Sequence, residues 1–265
     1  MFFPELSLSA HLAIALIFVW SGFVRSGLGF GGAVLSLPFL LLVDDKPLVY
    51  LPIIAVHLLV FSSLTILQSN LKAANSRKQN VAHTPASGGV DWPFLGRALL
   101  IMLIPKLIGV FGLLALPNHI MTAIIFAIVL LYSVSYILNK PFVSKQPWMD
   151  KVLLMLGGYV SGTSLIGAPL IVAVFAAHVA REQLRNTLFA LWFILVSIKM
   201  AAFVWAGVEL QWLQHLWLLP CAAVGHWLGQ LLHERMLQTD SRIFYRWLGV
   251  VLASVSTFGL VSYLI

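Results

Sequence analysis

The sequence predicts an all-α polytopic membrane protein: two inverted repeats, each a glycine-broken re-entrant helix pair followed by three transmembrane helices. Three observations predict it. Of 265 residues, 60% are hydrophobic and only 9% are charged, whereas a soluble domain carries about 25% charged residues. Two nearly uncharged runs are too long for one membrane crossing. Lys and Arg gather on one side only if both long runs turn back. The composition excludes a soluble enzyme, a disordered regulator and, with the single cysteine Cys221, a disulfide scaffold. At about 20 residues per crossing, the chain holds roughly eight to ten helical elements and no second, soluble domain. Met1 to Trp20 contains no Lys or Arg and no small-x-small cleavage site follows it, so this segment is expected to belong to the mature protein.

The elements follow from the positions of the charges. Between Glu5 and Asp44 lie 38 residues with one charge, Arg25. Lys46 to Lys72 encloses a second apolar run, and Ala98 to Ala115 is a third, interrupted by Lys106. A turn at Pro117-Asn118 leads to a fourth run that reaches Leu138, and Lys140 to Lys151 is a polar linker. Then come a 29-residue uncharged run (Val152 to Ala180), Asn186 to Val208 with Lys199 inside it, Leu210 to Leu232, and Trp247 to Ile265. As unbroken helices, the two longest runs would reach about 57 Å and about 44 Å at 1.5 Å per residue, against a hydrocarbon core of about 30 Å. Both carry glycine clusters: Gly27, Gly29, Gly31 and Gly32 in the first, Gly157, Gly158, Gly162 and Gly167 in the second. Each glycine costs a helix about 1 kcal/mol, so each run reads as two shorter helices joined at a glycine-rich break.

The two long runs resemble each other. Trp20 to Gly31 aligns without gaps to Leu156 to Gly167, matching Gly22 with Gly158, Val24 with Val160 and Gly31 with Gly167. Further on, Gly89-Val90-Asp91 matches Gly207-Val208-Glu209, and Pro105 with Gly109 and Gly112 corresponds to Pro220 with Gly225 and Gly229. The matches keep their order, which supports an internal duplication: residues 1–139 form the first repeat, with a polar insertion at 72–89, and residues 140–265 the second, within one integral membrane domain. If each broken run returns to its starting side, twelve of the sixteen Lys and Arg fall on one side, Lys46 alone falls opposite, and three remain inside. The positive-inside rule favours this arrangement over single spans. It makes the repeats inverted, gives an inner-membrane, multi-pass protein, and puts both termini outside, in the periplasm.

The three interior cations are Arg25, Lys106 and Lys199, while all nine acids lie at loops or span ends. Charges inside a membrane are costly and mark a pathway or a partner, and a transported anion would supply the missing negative charge. Inverted repeats with broken helices are a transporter build. Free N–H groups at half-helix N-termini suit an anion, and glycines at the breaks allow close backbone approach. Tight helix packing is the competing account of the glycines, and snorkelling to the interface that of the cations. Arg25 fits snorkelling least, because it lies beside a break. His57 is a candidate for anion or proton binding, set against a packed polar histidine; His226 and His178 are weaker candidates. Ser26, Ser161, Thr163 and Ser164 border the breaks and are candidate hydroxyl donors, or equally helix caps.

Other chemistry is set aside. No HExxH, CxxC or P-loop occurs, and Ser161-Gly162 lacks the Gly-x-Ser-Gly spacing of an intramembrane serine protease. Buried carboxylates for a sodium site or a carboxylate proton relay are missing. The nine Trp, spread through the chain, fit interfacial anchoring.

Two stretches carry a resemblance to a known family: Gly22-Phe-Val-Arg-Ser-Gly-Leu-Gly-Phe-Gly-Gly-Ala-Val-Leu-Ser-Leu-Pro38 and Gly158-Tyr-Val-Ser-Gly-Thr-Ser-Leu-Ile-Gly-Ala-Pro169. They resemble the paired signatures of the sulfite exporter TauE/SafE family of membrane permeases. Gly89 to Trp92 and Pro220 to Gly229 also resemble its pattern, so the likeness spans nearly the whole chain. It implies export, or sometimes import, of small sulfur-containing anions. The chain departs from the family at Ala33, Leu165 and Ala168, where the signatures have glycines, and at Arg25, where a small residue is common. These departures bear on substrate size and charge.

The reading is a secondary transporter, expected to export a small anion such as sulfite or an organosulfonate by alternating access. Its substrate site is expected near the midplane and comprises Arg25, Ser26, Gly27, Gly29, Gly31, Gly32, His57, Lys106, Ser161, Gly162, Thr163, Ser164, Gly167 and Lys199. The expected partners are a small anionic substrate and the lipid bilayer. No enzymatic activity, cofactor, metal or nucleic acid is expected, and a homodimer is left open. A passive anion channel and a non-transporting membrane assembly protein are the alternatives, with an intramembrane enzyme a distant further one.

Overall fold

The computed structural model describes residues 3, 5–28, 32–78, 89–139, 146–238 and 242–262. Among these, ten helices and no strands are found: α1 (Leu8–Leu28), α2 (Leu37–Val43), α3 (Pro47–Lys78), α4 (Trp92–Ala115), α5 (Asn118–Ile137), α6 (Pro147–Ser164), α7 (Ala168–His178), α8 (Arg181–Trp205), α9 (Trp212–Gln238) and α10 (Arg242–Val261). Five of them contain a span long and apolar enough to cross a membrane, namely Leu8–Gly27, Pro47–Leu67, Trp92–Ala115, Asn118–Ile137 and Arg181–Trp205.

Local chemistry sets the boundaries. Asp91 caps α4 by accepting a 3.0 Å hydrogen bond from the Phe94 amide, and Pro93 occupies the first turn, where a missing N–H costs nothing. Pro117 ends the α4–α5 turn, while Pro147 and Pro169 open α6 and α7. α6 stops at Leu165, whose φ of 62° is left-handed. A branched side chain pays for that conformation, which a glycine adopts freely.

Both long runs turn back on themselves. Glu5, ahead of α1, meets Lys46, behind α2, at 2.8 Å. Asp150, at the start of α6, meets His178, at the end of α7, at 2.9 Å. The break in the second run covers Leu165 to Gly167, so Gly157, Gly158 and Gly162 lie within α6 and do not interrupt it. Gly27 likewise lies within α1. The expectation that these glycines mark the breaks is corrected accordingly. Gly29 and Gly31 lie outside the described residues.

The helical glycines serve packing. α1 packs chiefly on α9, α4 on α6, α5 on α10 and α3 on α8. Replacing α1–α5 by α6–α10 in order carries this set of pairings into itself. The two closest crossings agree in atomic detail. A Cβ on Gly109 of α4 would meet Tyr159 O, Gly162 Cα and Thr163 N of α6, and a Cβ on Gly229 of α9 would meet Phe23 O, Ser26 Cβ and Gly27 N of α1. Each α6 residue here lies 136 positions after its α1 counterpart, the same offset as in the sequence alignment. Gly109 therefore corresponds to Gly229, and Gly112, with nothing within 4 Å of a Cβ, has no such contact. The correspondence of Gly112 with Gly229, and of Pro105 with Pro220, is corrected by this register.

Candidate functional site

Where the two breaks approach each other, α3 and α8 close a cavity of about 30 Å³, room for roughly two waters. Its wall includes Arg25, Gly32, Ala33 and Val34 from the first run, Ser161, Leu165 and Ala168 from the second, Leu58 from α3, and Phe189, Trp192, Leu195 and Val196 from α8. The wall is mostly apolar, with few polar groups.

Arg25 is the one cationic side chain among the described residues of this wall. It is 4% exposed and lies in the last turn of α1, where the negative end of the helix dipole favours a cation. Its guanidinium carbon sits 4.4 Å above the centre of the Phe61 ring, a favourable cation–π distance. Nε and Nη2 have no hydrogen-bond partner among the described residues. Buried polar groups are nearly always paired, so these two donors of a cavity-lining residue have capacity to spare.

Lys106 and Lys199 are fully buried but differ from Arg25. Lys106 Nζ donates to Ser161 O at 3.2 Å and to Ser161 Oγ at 3.0 Å. Lys199 Nζ donates to Thr163 O at 3.0 Å and lies 5.4 Å from the Phe203 ring centre. Both ammonium groups thus meet carbonyls in the last turn of α6, where Ser161 O also accepts from the Leu165 amide at 3.3 Å. Among the described residues no acid pairs with any of the three cations, and the two lysines differ from Arg25 in meeting carbonyls. Because Ser161 Oγ accepts from Lys106, its own hydroxyl hydrogen is left to donate elsewhere, and Ser161 lines the cavity.

The remaining expected residues divide. Gly32 lines the cavity, and its carbonyl accepts from Ser36 Oγ at 2.6 Å and Ser21 Oγ at 3.3 Å. Ser26 Oγ hydrogen-bonds His226 Nδ1 beside Arg25. Thr163 and Ser164 return their hydroxyls to Val160 O, each at 3.0 Å, so they satisfy their own helix. Gly162 lies in the α4–α6 crossing, where a Cβ would be 2.4 Å from Lys106 O, and Gly167 sits equally close to Gly157 O. Gly27 lies in the α1–α9 contact. His57 is buried behind the wall, among Phe18, Phe61 and His215.

One residue went unread in the sequence. Trp192, eleven residues beyond the start of α8, is 9% exposed, lines the cavity, and has no partner for Nε1 among the described residues. It is not an interfacial anchor, and its place in mid-span was the available signal. His226, a weaker candidate in the sequence, stands beside Arg25 through Ser26. In the register set by Gly109 and Gly229 it occupies the place of Lys106, as Arg25 occupies that of Ser161. One crossing thus offers an arginine and an imidazole, the other a hydroxyl and an ammonium.

Comparison with protein families matched the chain over residues 14–258 to the model described as "Sulfite exporter TauE/SafE". Comparisons with curated proteins and with solved structures returned no match.

Proposed function

Because the chain belongs to the sulfite exporter TauE/SafE family, and so to a family of multi-pass membrane transporters, we propose that it is a secondary transporter that exports a small sulfur oxyanion or organosulfonate, with sulfite the favoured cargo. The observation that carries this reading is Arg25: buried, on the cavity wall, with two N–H groups that have no partner among the described residues. A planar guanidinium suits a tetrahedral or pyramidal oxyanion, because it presents two parallel donors. The Ser161 hydroxyl, polarised by Lys106, approaches from the opposite break and would donate to a second oxygen. The apolar remainder of the wall strips water from the ion and strengthens both contacts.

Alternating access would come from two inverted repeats, 1–139 and 140–265, rocking about the α3–α8 contact. Support comes from the pairing of α1 with α9 and α4 with α6, which exchange under the repeat correspondence. The basic loops would face the cytoplasm and both termini the periplasm, in an inner membrane. The test is uptake of sulfite into proteoliposomes. Arg25→Gln keeps hydrogen-bonding capacity but removes the charge, and it is expected to lower uptake at least about tenfold, the value of one charged hydrogen bond. Undiminished uptake by a well-folded Arg25→Gln protein removes Arg25 from the mechanism. Current through the wild-type protein without saturation would favour a passive channel.

A further inference from the structure

We propose that His57 and His215 form a proton-holding pair linked to the anion at Arg25, so that one proton crosses with each anion. This deepens the transport reading and rests on it for the coupling, though the pair itself stands on geometry alone. His57 is 1% exposed, and neither ring nitrogen has a partner among the described residues. A neutral imidazole has one donor and one acceptor, and leaving both unpaired in an apolar site is costly. Such a group calls for an explanation. Its ring lies edge-on to Phe18 and to Phe61 and 5.3 Å, centre to centre, from the ring of His215.

His215 Nε2 lies 3.1 Å from Leu210 O. A carbonyl only accepts, so Nε2 carries the hydrogen, and Nδ1 of the neutral ring is an acceptor. That Nδ1 is buried and has no partner among the described residues. One proton on either ring therefore has an acceptor next to it, reached by rotation of the His57 ring about its soft terminal torsion or through one water.

The pair spans the distance from surface to site. His215 lies in the first turn of α9, next to the 206–211 segment, in which Glu209 is exposed. His57 lies ten residues into α3, about 15 Å along that helix. One turn further, Phe61 carries the Arg25 guanidinium on its face. The groups acting on His57 are Arg25 from α1 and His215 from α9. Across Phe61 stands His226 of α9, with its ring centre 4.8 Å from that of Phe61, and Arg25 and Arg185 of α8 act on it. Among the described residues no carboxylate acts on either histidine.

The linkage follows from charge. With the cavity empty, Arg25 repels a proton from the pair. An anion on Arg25 cancels that repulsion, so the pair takes one proton from water on the side the anion entered from, leaving hydroxide or deprotonated buffer there. By reciprocity the protonated pair holds the anion more tightly. When the anion leaves on the other side, repulsion returns and the proton passes to water on that side.

Two measurements test this. The first uses no anion: the imidazole nitrogen signals of the ¹⁵N-histidine-labelled, nanodisc-embedded protein are followed between pH 5 and 8. The His57 signals are expected to move in His215→Gln and those of His215 in His57→Gln. Signals that each ignore the other substitution overturn the pair. The second loads proteoliposomes with a pH-sensitive dye and drives methanesulfonate across them; this probe stays ionised near neutrality, so no proton rides on it. The wild type is expected to move about one proton per anion. His57→Gln and His215→Gln are expected to carry the anion down its own gradient with proton movement cut at least about tenfold. Wild-type anion movement without protons, or an unchanged ratio in both variants, overturns the coupling. Failure to move methanesulfonate and sulfite alike overturns the transport reading and the coupling with it, while the spectral link between the two rings is decided separately. If His57→Gln does not fold, His215→Asn carries both measurements from the outer ring.

Discussion

Gly109→Ala offers a sharp test of how the site is held together. A Cβ on Gly109 would lie 2.3 Å from Tyr159 O, while a comfortable C–H···O contact needs about 3.3 Å. α4 and α6 must therefore separate by about 1 Å. Gly112, three residues on in the same helix, is the control, since a Cβ there meets nothing within 4 Å. Both substitutions gain about the same helix propensity, up to about 1 kcal/mol, so that term cancels between them. What remains is the overpacking cost, about 1–3 kcal/mol. At about 2–4 °C per kcal/mol for a chain of this size, the two variants are expected to differ in Tm by about 2–12 °C, with Gly109→Ala the lower. The same separation would stretch the Lys106–Ser161 contacts from 3.0 and 3.2 Å to about 4 Å, beyond hydrogen-bonding range, so sulfite uptake is expected to fall in Gly109→Ala and to persist in Gly112→Ala. Differential scanning fluorimetry and proteoliposome uptake read both effects. Equal Tm and equal uptake for the two variants would refute the close-crossing argument.

Lys106→Met removes a buried charge and keeps the volume, so thermal stability is expected to hold or rise while sulfite uptake drops about tenfold or more; a Tm loss with normal uptake would make Lys106 a purely structural group. Leu165→Gly frees the left-handed position and removes a side chain from the cavity wall, so larger sulfonates are expected to compete better with sulfite than in the wild type, and an unchanged selectivity would count against this wall. Lys46 holds the exposed Glu5 carboxyl below its ordinary range by hydrogen bond and charge, and Glu5 raises Lys46 in return. Glu5 is depressed in the fold, so its part of the stabilisation is present above the ordinary carboxylate pKa, about 4.3, and is lost as pH falls through the lowered value. The small Tm gap between wild type and Lys46→Ala is therefore expected at pH 7 and to close in acid; a gap that widens in acid contradicts the pairing.

Charge and hydropathy are properties of single positions, and they sufficed for much of this architecture. The apolar runs, the two that are too long, and the interior cations could all be read along the chain, and the ten helices among the described residues lie within the roughly eight to ten expected. Turning back of both long runs, expected from the distribution of Lys and Arg, is visible in the Glu5–Lys46 and Asp150–His178 contacts. The role of each glycine was not legible, because a glycine that breaks a helix and one that admits a neighbouring helix look alike until the neighbour is known. Gly162 and Gly32 show the two outcomes: one lies under the backbone of α4, the other lines the cavity. Nor could one dimension separate the three cations, which differ only in what lies within 3–4 Å of them. The sequence by itself determined a membrane chain of broken helices with positive charge inside. The tertiary structure alone decided that α6 carbonyls occupy Lys106 and Lys199 while Arg25 Nε and Nη2 have no partner among the described residues, and that His57 faces His215. Hydrogen bonding is short-ranged and directional, so it is settled only when helices far apart in the chain are packed against each other.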